Sequence, residues 1–159
     1  MENQKRIKLT PKQALLKAAN YCAYQERCHN EVLEKLREWG ICGYDAQELL
    51  LTLIEQNYVN EERFAIAYAG GKFRVKHWGK VKIKLELMQK QISEYCINKA
   101  LNEISDEDYD KTLNQIIAKK WAETTDKNLL SKRAKVAKYA IGKGFEQHVI
   151  WDILRNKTN

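Results

Sequence analysis

Asn60–Ile92, NEERFAIAYAGGKFRVKHWGKVKIKLELMQKQI, decides the fold, because it can be read in two ways. Lys72–Lys76 and Lys80–Leu87 alternate polar and apolar residues, the period of two half-buried strands, with Trp78-Gly79 as a turn between them. The alternative is a pair of helices. In that reading Ile83 and Leu87 form an inward i, i+4 pair, and the lysines between them face solvent.

The flanking sequence chooses between the two. Residues 11–26 begin with Thr10 as an N-cap and Pro11 at the first helical position. Ala14, Leu15, Ala18, Ala19 and Cys22 then form a helical stripe. Residues 29–39 place Val32, Leu33 and Leu36 on one face and end at Gly40, a fitting C-terminal stop. Residues 45–57 open on Asp45 as a cap and continue through Ala46, Leu49, Leu50, Leu53 and Ile54.

Shifting the chain by 51 residues lays Val32 on Ile83, Leu36 on Leu87, Ile41 on Ile92, and Ala14 and Ala18 on Ala65 and Ala69. A further shift of 53 gives Val136, Ala140, Phe145, Ala118 and Ala122. Apolar residues recur after Ile41, Ile92 and Phe145 as Ala46, Leu49 and Leu50, then Ile97, Ala100 and Leu101, then Ile150, Ile153 and Leu154. Register kept across three copies is an internal repeat, and its unambiguous copies interpret the ambiguous one as helical. The expected fold is all-α, three tandem three-helix repeats at 11–57, 60–104 and 105–156 behind a basic arm at 1–10. Gly70-Gly71 would bend the first helix of the second unit or let a neighbour pack closely.

A chain of 159 residues with 44% hydrophobic and 31% charged residues can bury a core, and its single proline and seven glycines argue against a turn-rich β sandwich. No apolar run approaches a bilayer span, and no apolar segment follows the basic N-terminus as in a secretory signal, so a cytoplasmic protein without a membrane partner is expected. Cys22, Cys28, Cys42 and Cys96 read as reduced thiols, because the C-x2-C pairing of a zinc site is missing. No P-loop, nucleophile elbow or zincin motif occurs, and His29, His77 and His148 are scattered. Neither a catalytic site nor a cofactor is expected.

The net charge of +7 is clustered. Lys5, Arg6, Lys8, Lys12 and Lys17 lead the chain. Lys72, Arg74, Lys76, Lys80, Lys82, Lys84 and Lys90 are opposed only by Glu86, and Lys127–Lys143 holds basic residues and no acid. Such clustering implies a polyanionic partner, against the plain alternative of solvated lysine faces. Asp106, Glu107, Asp108 and Asp110 could be read as the metal site of a nuclease, but first-turn acids behind a Ser105 cap complement a helix dipole.

The middle unit resembles the RecX family of recombination regulators. The carrying residues are Asn60-Glu61-Glu62-Arg63-Phe64-Ala65, then Gly79-x-x-Lys82-Ile83-x-x-x-Leu87-x-x-Lys90-x-Ile92. Weaker echoes are Leu36-x-x-x-Gly40-Ile41 and Gly144-Phe145. Asn60 stands where the family usually has Asp, and Gln91 where it has Gly. The resemblance implies an elongated, curved array that binds RecA filaments on DNA and restrains ATP hydrolysis, strand exchange and coprotease activity without being an enzyme. A monomer is expected, with single- or double-stranded DNA as a further direct partner. The candidate contacts are Arg63, Lys72, Arg74, Lys76, Lys80, Lys82, Lys84, Lys90, Lys132, Arg133, Lys135 and Lys138. The competing function is a helical transcription regulator acting directly on DNA. Against it, the helices after the turns carry few residues suited to reading base edges.

Overall fold

The structure, a computed structural model, describes residues 9–158 and contains no strand among them. The first unit holds α1 (Pro11–Tyr24), α2 (His29–Glu38) and α3 (Gly43–Glu55). The second holds α4 (Glu61–Lys76), α5 (Lys80–Gln89) and α6 (Glu94–Asn102), and the third α7 (Asp106–Glu123), α8 (Leu129–Gly142) and α9 (Gln147–Arg155). Lys5, Arg6 and Lys8 of the expected arm lie outside the described residues.

The helical reading of Lys80–Leu87 holds, and the structure shows why a strand pattern arose there. Ile83 and Leu87 are fully buried, whereas Val81 and Leu85 stand on the opposite, exposed side of α5. A helix apolar on two opposite sides alternates in sequence much as a strand does.

Local chemistry sets the helix ends. The Thr10 side chain accepts from the Gln13 N–H while the Gln13 side chain accepts from the Thr10 N–H, a reciprocal cap on α1. Asn60 caps α4 by accepting from the Arg63 N–H at 2.8 Å, so the change from Asp leaves the cap intact. Ser105 caps α7 from Asp108, and Asp106, Glu107 and Asp108 fill its first turn. Asp45 is not a cap. α3 starts earlier, behind Cys42, and places Asp45 in its first turn.

One stop signal is repeated three times. Gly40, Gln91 and Gly144 take the left-handed conformation with φ of 85°, 60° and 95°. The next residue then donates its N–H back into the helix, Ile41 to Leu36, Ile92 to Leu87 and Phe145 to Ala140. Ile41, Ile92 and Phe145 are buried, which supplies the apolar contact that accompanies this motif. Gln91 therefore carries the left-handed strain that the usual glycine would avoid.

Burial supports the repeat in most positions. Val32, Ile83 and Val136 are fully buried, as are Leu36, Leu87 and Ala140. The first helix of the third unit departs from the expected register. Ala118 and Ala122 are exposed, and Tyr109, Leu113 and Ile117 face the core. These lie 44 residues after Ala65, Ala69 and Phe73, in place of the 53 that relates α5 to α8. The difference arises because α7 has 18 residues against 16 in α4, the connector 124–128 is longer than 77–79, and Val136 lies deeper in α8 than Ile83 does in α5. Gly70-Gly71 does not interrupt α4. Gly70 is buried under the Arg74 guanidinium, while Gly71 faces open space.

There are two cores. Ala14, Ala18, Val32, Leu36, Leu50 and Leu53 belong to that of the first unit alone. Ile83, Leu87, Ile97, Leu113, Val136, Phe145 and Ile150 belong to a second core shared by the other two units, which also takes in Cys28. Burial pushes the Cys28 thiol up to about 11, so it packs as a small neutral apolar group.

The joint between the second and third units is made of backbone. Gly79, the N-cap of α5, has no side chain to cap the helix. Instead Gly79 N–H donates to the Lys143 carbonyl at 2.8 Å and Val81 N–H to the Gly144 carbonyl at 2.9 Å. Lys80 N–H donates to Tyr109 Oη at 3.0 Å, and that hydroxyl donates to Glu146 Oε2 at 2.7 Å. Three donors at the start of α5 are thus satisfied by the third unit. Burial, with the Glu146 carboxylate adding to it and the Lys80 N–H opposing it, holds the Tyr109 phenol protonated well above its ordinary range.

The joint between the first and second units is polar. Arg63 pairs with Glu26 and donates to Asn57 Oδ1 at 3.2 Å and the Asn57 carbonyl at 3.0 Å. His29 Nδ1 lies 3.2 Å from Glu61, and Asn30 Nδ2 donates to the Lys90 carbonyl at 3.3 Å.

Candidate functional site

The basic residues singled out from sequence do not form one face. Near 100° per residue, Lys80 and Lys82 on α5 point to different sides, and the structure separates them accordingly.

The first surface is built by α4 and α5 around two rings. Lys72, four residues after Tyr68 on α4, has its Nζ 5.4 Å from the Tyr68 ring and 4.9 Å from the Trp78 ring. Lys82 Nζ lies 4.4 Å from Trp78 and Lys90 Nζ 5.6 Å from Tyr68. Phe64 stacks on Tyr68 with centroids 5.7 Å apart. Two half-buried rings thus hold three ammonium groups in a row, with contacts worth about 0.5–1 kcal/mol each at exposed sites. Lysines presented in this way suit carboxylate or phosphate groups.

The second surface carries Lys80 and Lys84 beside Asn98, Asn102 and Glu146. Lys84 is exposed. Lys80 is not the solvent-facing lysine the sequence suggested, since its side chain is only 22% exposed, 4.0 Å from Asp106. Its Nζ also lies 4.9 Å from the Tyr109 ring.

The third surface is a groove of about 310 Å³ between α7 and α8, with His77, the residue after α4, in its lining. Lys119, Lys120, Lys143 and Tyr139 line it, with Glu123 as its acid. It continues past Lys135 and Lys138. Lys120 Nζ lies 4.7 Å from the Tyr139 ring, which is itself 42% exposed. Lys143 Nζ donates to the Lys76 carbonyl at 2.8 Å, tying the end of α4 to the groove. A phosphodiester chain finds ammonium groups and a stacking surface here. Lys119, Lys120 and Lys143 were absent from the sequence candidates. Lys119 and Lys120 lie before the acid-free run from which the candidates were drawn, and Lys143 closes that run.

Several candidates are engaged inside the fold. Arg63 joins the first two units. Arg133 donates to the Lys157 carbonyl at 2.8 Å and the Arg155 carbonyl at 3.4 Å, at the C-terminal end of α9. Arg74 covers Gly70. Lys132 Nζ sits 4.4 Å from the Trp121 ring. Lys135 pairs with Asp126 at 2.9 Å. Asp126 also accepts from Ser131 Oγ and from the Asn128 N–H. These donors, Ser131 foremost, hold its carboxyl well below the usual carboxylate range.

Among the described residues no group of histidine, cysteine or acidic side chains is arranged to hold a metal, and no helix is long and apolar enough to cross a membrane.

Residues 60–101, which contain the α4–α5 surface, match the family described as RecX, second three-helix domain. Regulatory protein RecX of Bacillus cytotoxicus is 29% identical over 137 residues, covering 86% of this chain and 51% of that protein. Regulatory protein RecX of Bacillus cereus strain B4264 is 26% identical over the same shares of the two chains. The chain therefore spans about half the length of the curated relatives it matches. The crystal structure of RecX from Lactobacillus salivarius superposes with a TM-score of 0.81 at 25% identity, covering 91% of this chain and 94% of that one. A second crystal structure, of regulatory protein RecX, gives 0.77 at 21% identity over 92% and 74%, a likeness of fold. The motif on α4 and α5 and the three-unit helical fold are thus features that this chain shares with the RecX regulatory proteins it resembles.

Proposed function

We propose that this chain binds RecA filaments on DNA and restrains RecA, lowering its ATP hydrolysis, strand exchange and coprotease activity, in the cytoplasm and by binding alone. The observation that carries this reading is the link between the α4–α5 and α7–α8 regions. Lys143 of the groove reaches the Lys76 carbonyl at the end of α4, and the shared core holds both units together. A periodic filament presents repeated acidic and phosphate groups, and lysines fixed on a rigid pair of units meet them without further ordering. The units 11–57, 60–104 and 105–156 would act as successive contacts, with Lys72, Lys82, Lys90, Lys138 and the newly placed Lys120 and Lys143 as the main charges. An array seated in this way would hinder rearrangement of RecA protomers during ATP turnover.

The test is charge reversal where no internal ion pair is broken. Lys120→Glu with Lys138→Glu should leave the far-ultraviolet spectrum and melting nearly unchanged. It should also raise, by at least about tenfold (about 1.4 kcal/mol), the concentration needed for half-inhibition of RecA ATP hydrolysis on single-stranded DNA. Unchanged inhibition at moderate salt would show that the groove is a solvated face.

A further inference from the structure

The outer side of α5 is apolar, which its position in the fold does not require. Val81, Leu85 and Met88 are 45%, 54% and 53% exposed, and their i, i+4, i+7 spacing makes one continuous stripe opposite Ile83 and Leu87. Isolated exposed apolar residues are ordinary, but three along one face are not. The repeat supplies an internal control. The corresponding positions are Asn30, Glu34 and Arg37 in α2, and Ala134, Lys138 and Ile141 in α8. The fold therefore accepts polar residues at this place, and only the second unit carries the stripe. Near 100° per residue, Lys84 borders it on one edge and Lys82 on the other. Val81 and Leu101 are the two apolar residues in the wall of the hollow that carries Lys80 and Lys84, so the stripe runs directly into a polar rim.

We infer that this stripe is a protein-docking face that takes an amphipathic helix with apolar residues along one side and acids at its margins. The lysine edges choose that occupant, since each would meet a carboxylate across the rim while the apolar centres pack. They also disfavour a second copy of this chain, because two stripes face to face would bring like charges together. Resting on the function proposed above, the partner is a RecA protomer, contacted as protein and not through DNA.

The test transplants the outer face of α2 onto α5 as Val81→Asn, Leu85→Glu and Met88→Arg, which leaves net charge unchanged. The probes are the host's RecA hydrolysing ATP on single-stranded DNA, and a fluorescent oligothymidylate without RecA. The inference expects an unchanged melting temperature, oligothymidylate binding equal to the parent's, and a half-inhibitory concentration raised at least about tenfold. Should the triple variant fold poorly, Leu85→Gln alone should still raise that concentration several-fold. Inhibition equal to the parent's by a folded variant would overturn the docking face and leave the proposed function standing. Loss of oligothymidylate binding in parallel with inhibition would mark the stripe as a nucleic-acid surface and also overturn it. A parent protein that does not restrain RecA would overturn the proposed function, and the docking face with it, before any variant is needed.

Discussion

Gly79 and Gly144 meet backbone to backbone across the joint between the second and third units, where a Cβ on Gly79 would stand 2.2 Å from the Gly144 carbonyl oxygen. The approach lets Gly79 and Val81 donate to Lys143 and Gly144, so α5 starts on the third unit's backbone. Gly79→Ala forces the two units apart and should cost about 1–3 kcal/mol in urea unfolding. Gly144→Ala should cost at least as much, because it adds left-handed strain at φ 95° to a clash with the Lys82 Cβ. A neutral Gly79→Ala would mean that this joint is loose in solution.

Tyr109→Phe isolates the polar half of the same joint. It removes one hydroxyl and leaves the Lys80 N–H and Glu146 without their partner. The expected cost is about 1–3 kcal/mol, with little change in helix content. A smaller loss would show that water replaces the hydroxyl easily.

Much of this fold was legible because backbone geometry leaves marks in sequence. Gly40 and Gly144 mark two of the left-handed helix ends, and the apolar residue after each identified the repeat even where Gln91 broke the pattern. The α7 register was not legible, since a longer helix and connector move Tyr109, Leu113 and Ile117 into places the simple shift gave to Ala118 and Ala122. The site was read less well. Charge runs reported a basic region but not which side chains are free. Arg63 and Arg133 turn out to bind backbone carbonyls, and Lys80 is half-buried. The apolar outer side of α5 was present in the alternation of Lys80–Leu87, but it read as a strand pattern until the repeat made the segment helical.

Gln91→Gly should stabilise the protein by about 1 kcal/mol, because glycine adopts φ 60° without a Cβ penalty and the Ile92-to-Leu87 hydrogen bond is kept. Thermal unfolding compares the two directly. No gain, or a loss, would show that the Gln91 side chain makes a compensating contact.

Arg63→Ala should loosen the first unit selectively. Its contacts to Glu26 and Asn57 cross the polar joint, and the first unit keeps its own core. Hydrogen bonds involving a charged partner contribute about 1.5–3 kcal/mol. Amide exchange should therefore accelerate at the ends of α1 and α3 and remain slow in α5 and α8. Uniform acceleration would contradict the separation of the two cores.

Asp126 gives the connector 124–128 a pH dependence. Its carboxyl is lower in the folded protein than the ordinary carboxylate value, so its stabilising effect is complete above that value and is lost as pH falls through the depressed one. The amide resonances of Asn128 and Ser131 should hold their positions through pH 4 and move only in stronger acid. A midpoint near pH 4 would mean that the contacts with Ser131 and Lys135 are not formed. Asp126→Asn should abolish the low-pH step.

The most direct measurement adds the parent protein to the host's RecA while RecA is hydrolysing ATP on single-stranded DNA at moderate salt. The account predicts that steady-state hydrolysis falls at protein concentrations below that of RecA. It also predicts that raising the salt weakens the effect, as lysine contacts to a polyanionic filament require. Hydrolysis that stays constant up to an excess of the protein, whether it is added before or after the filament forms, would contradict the account.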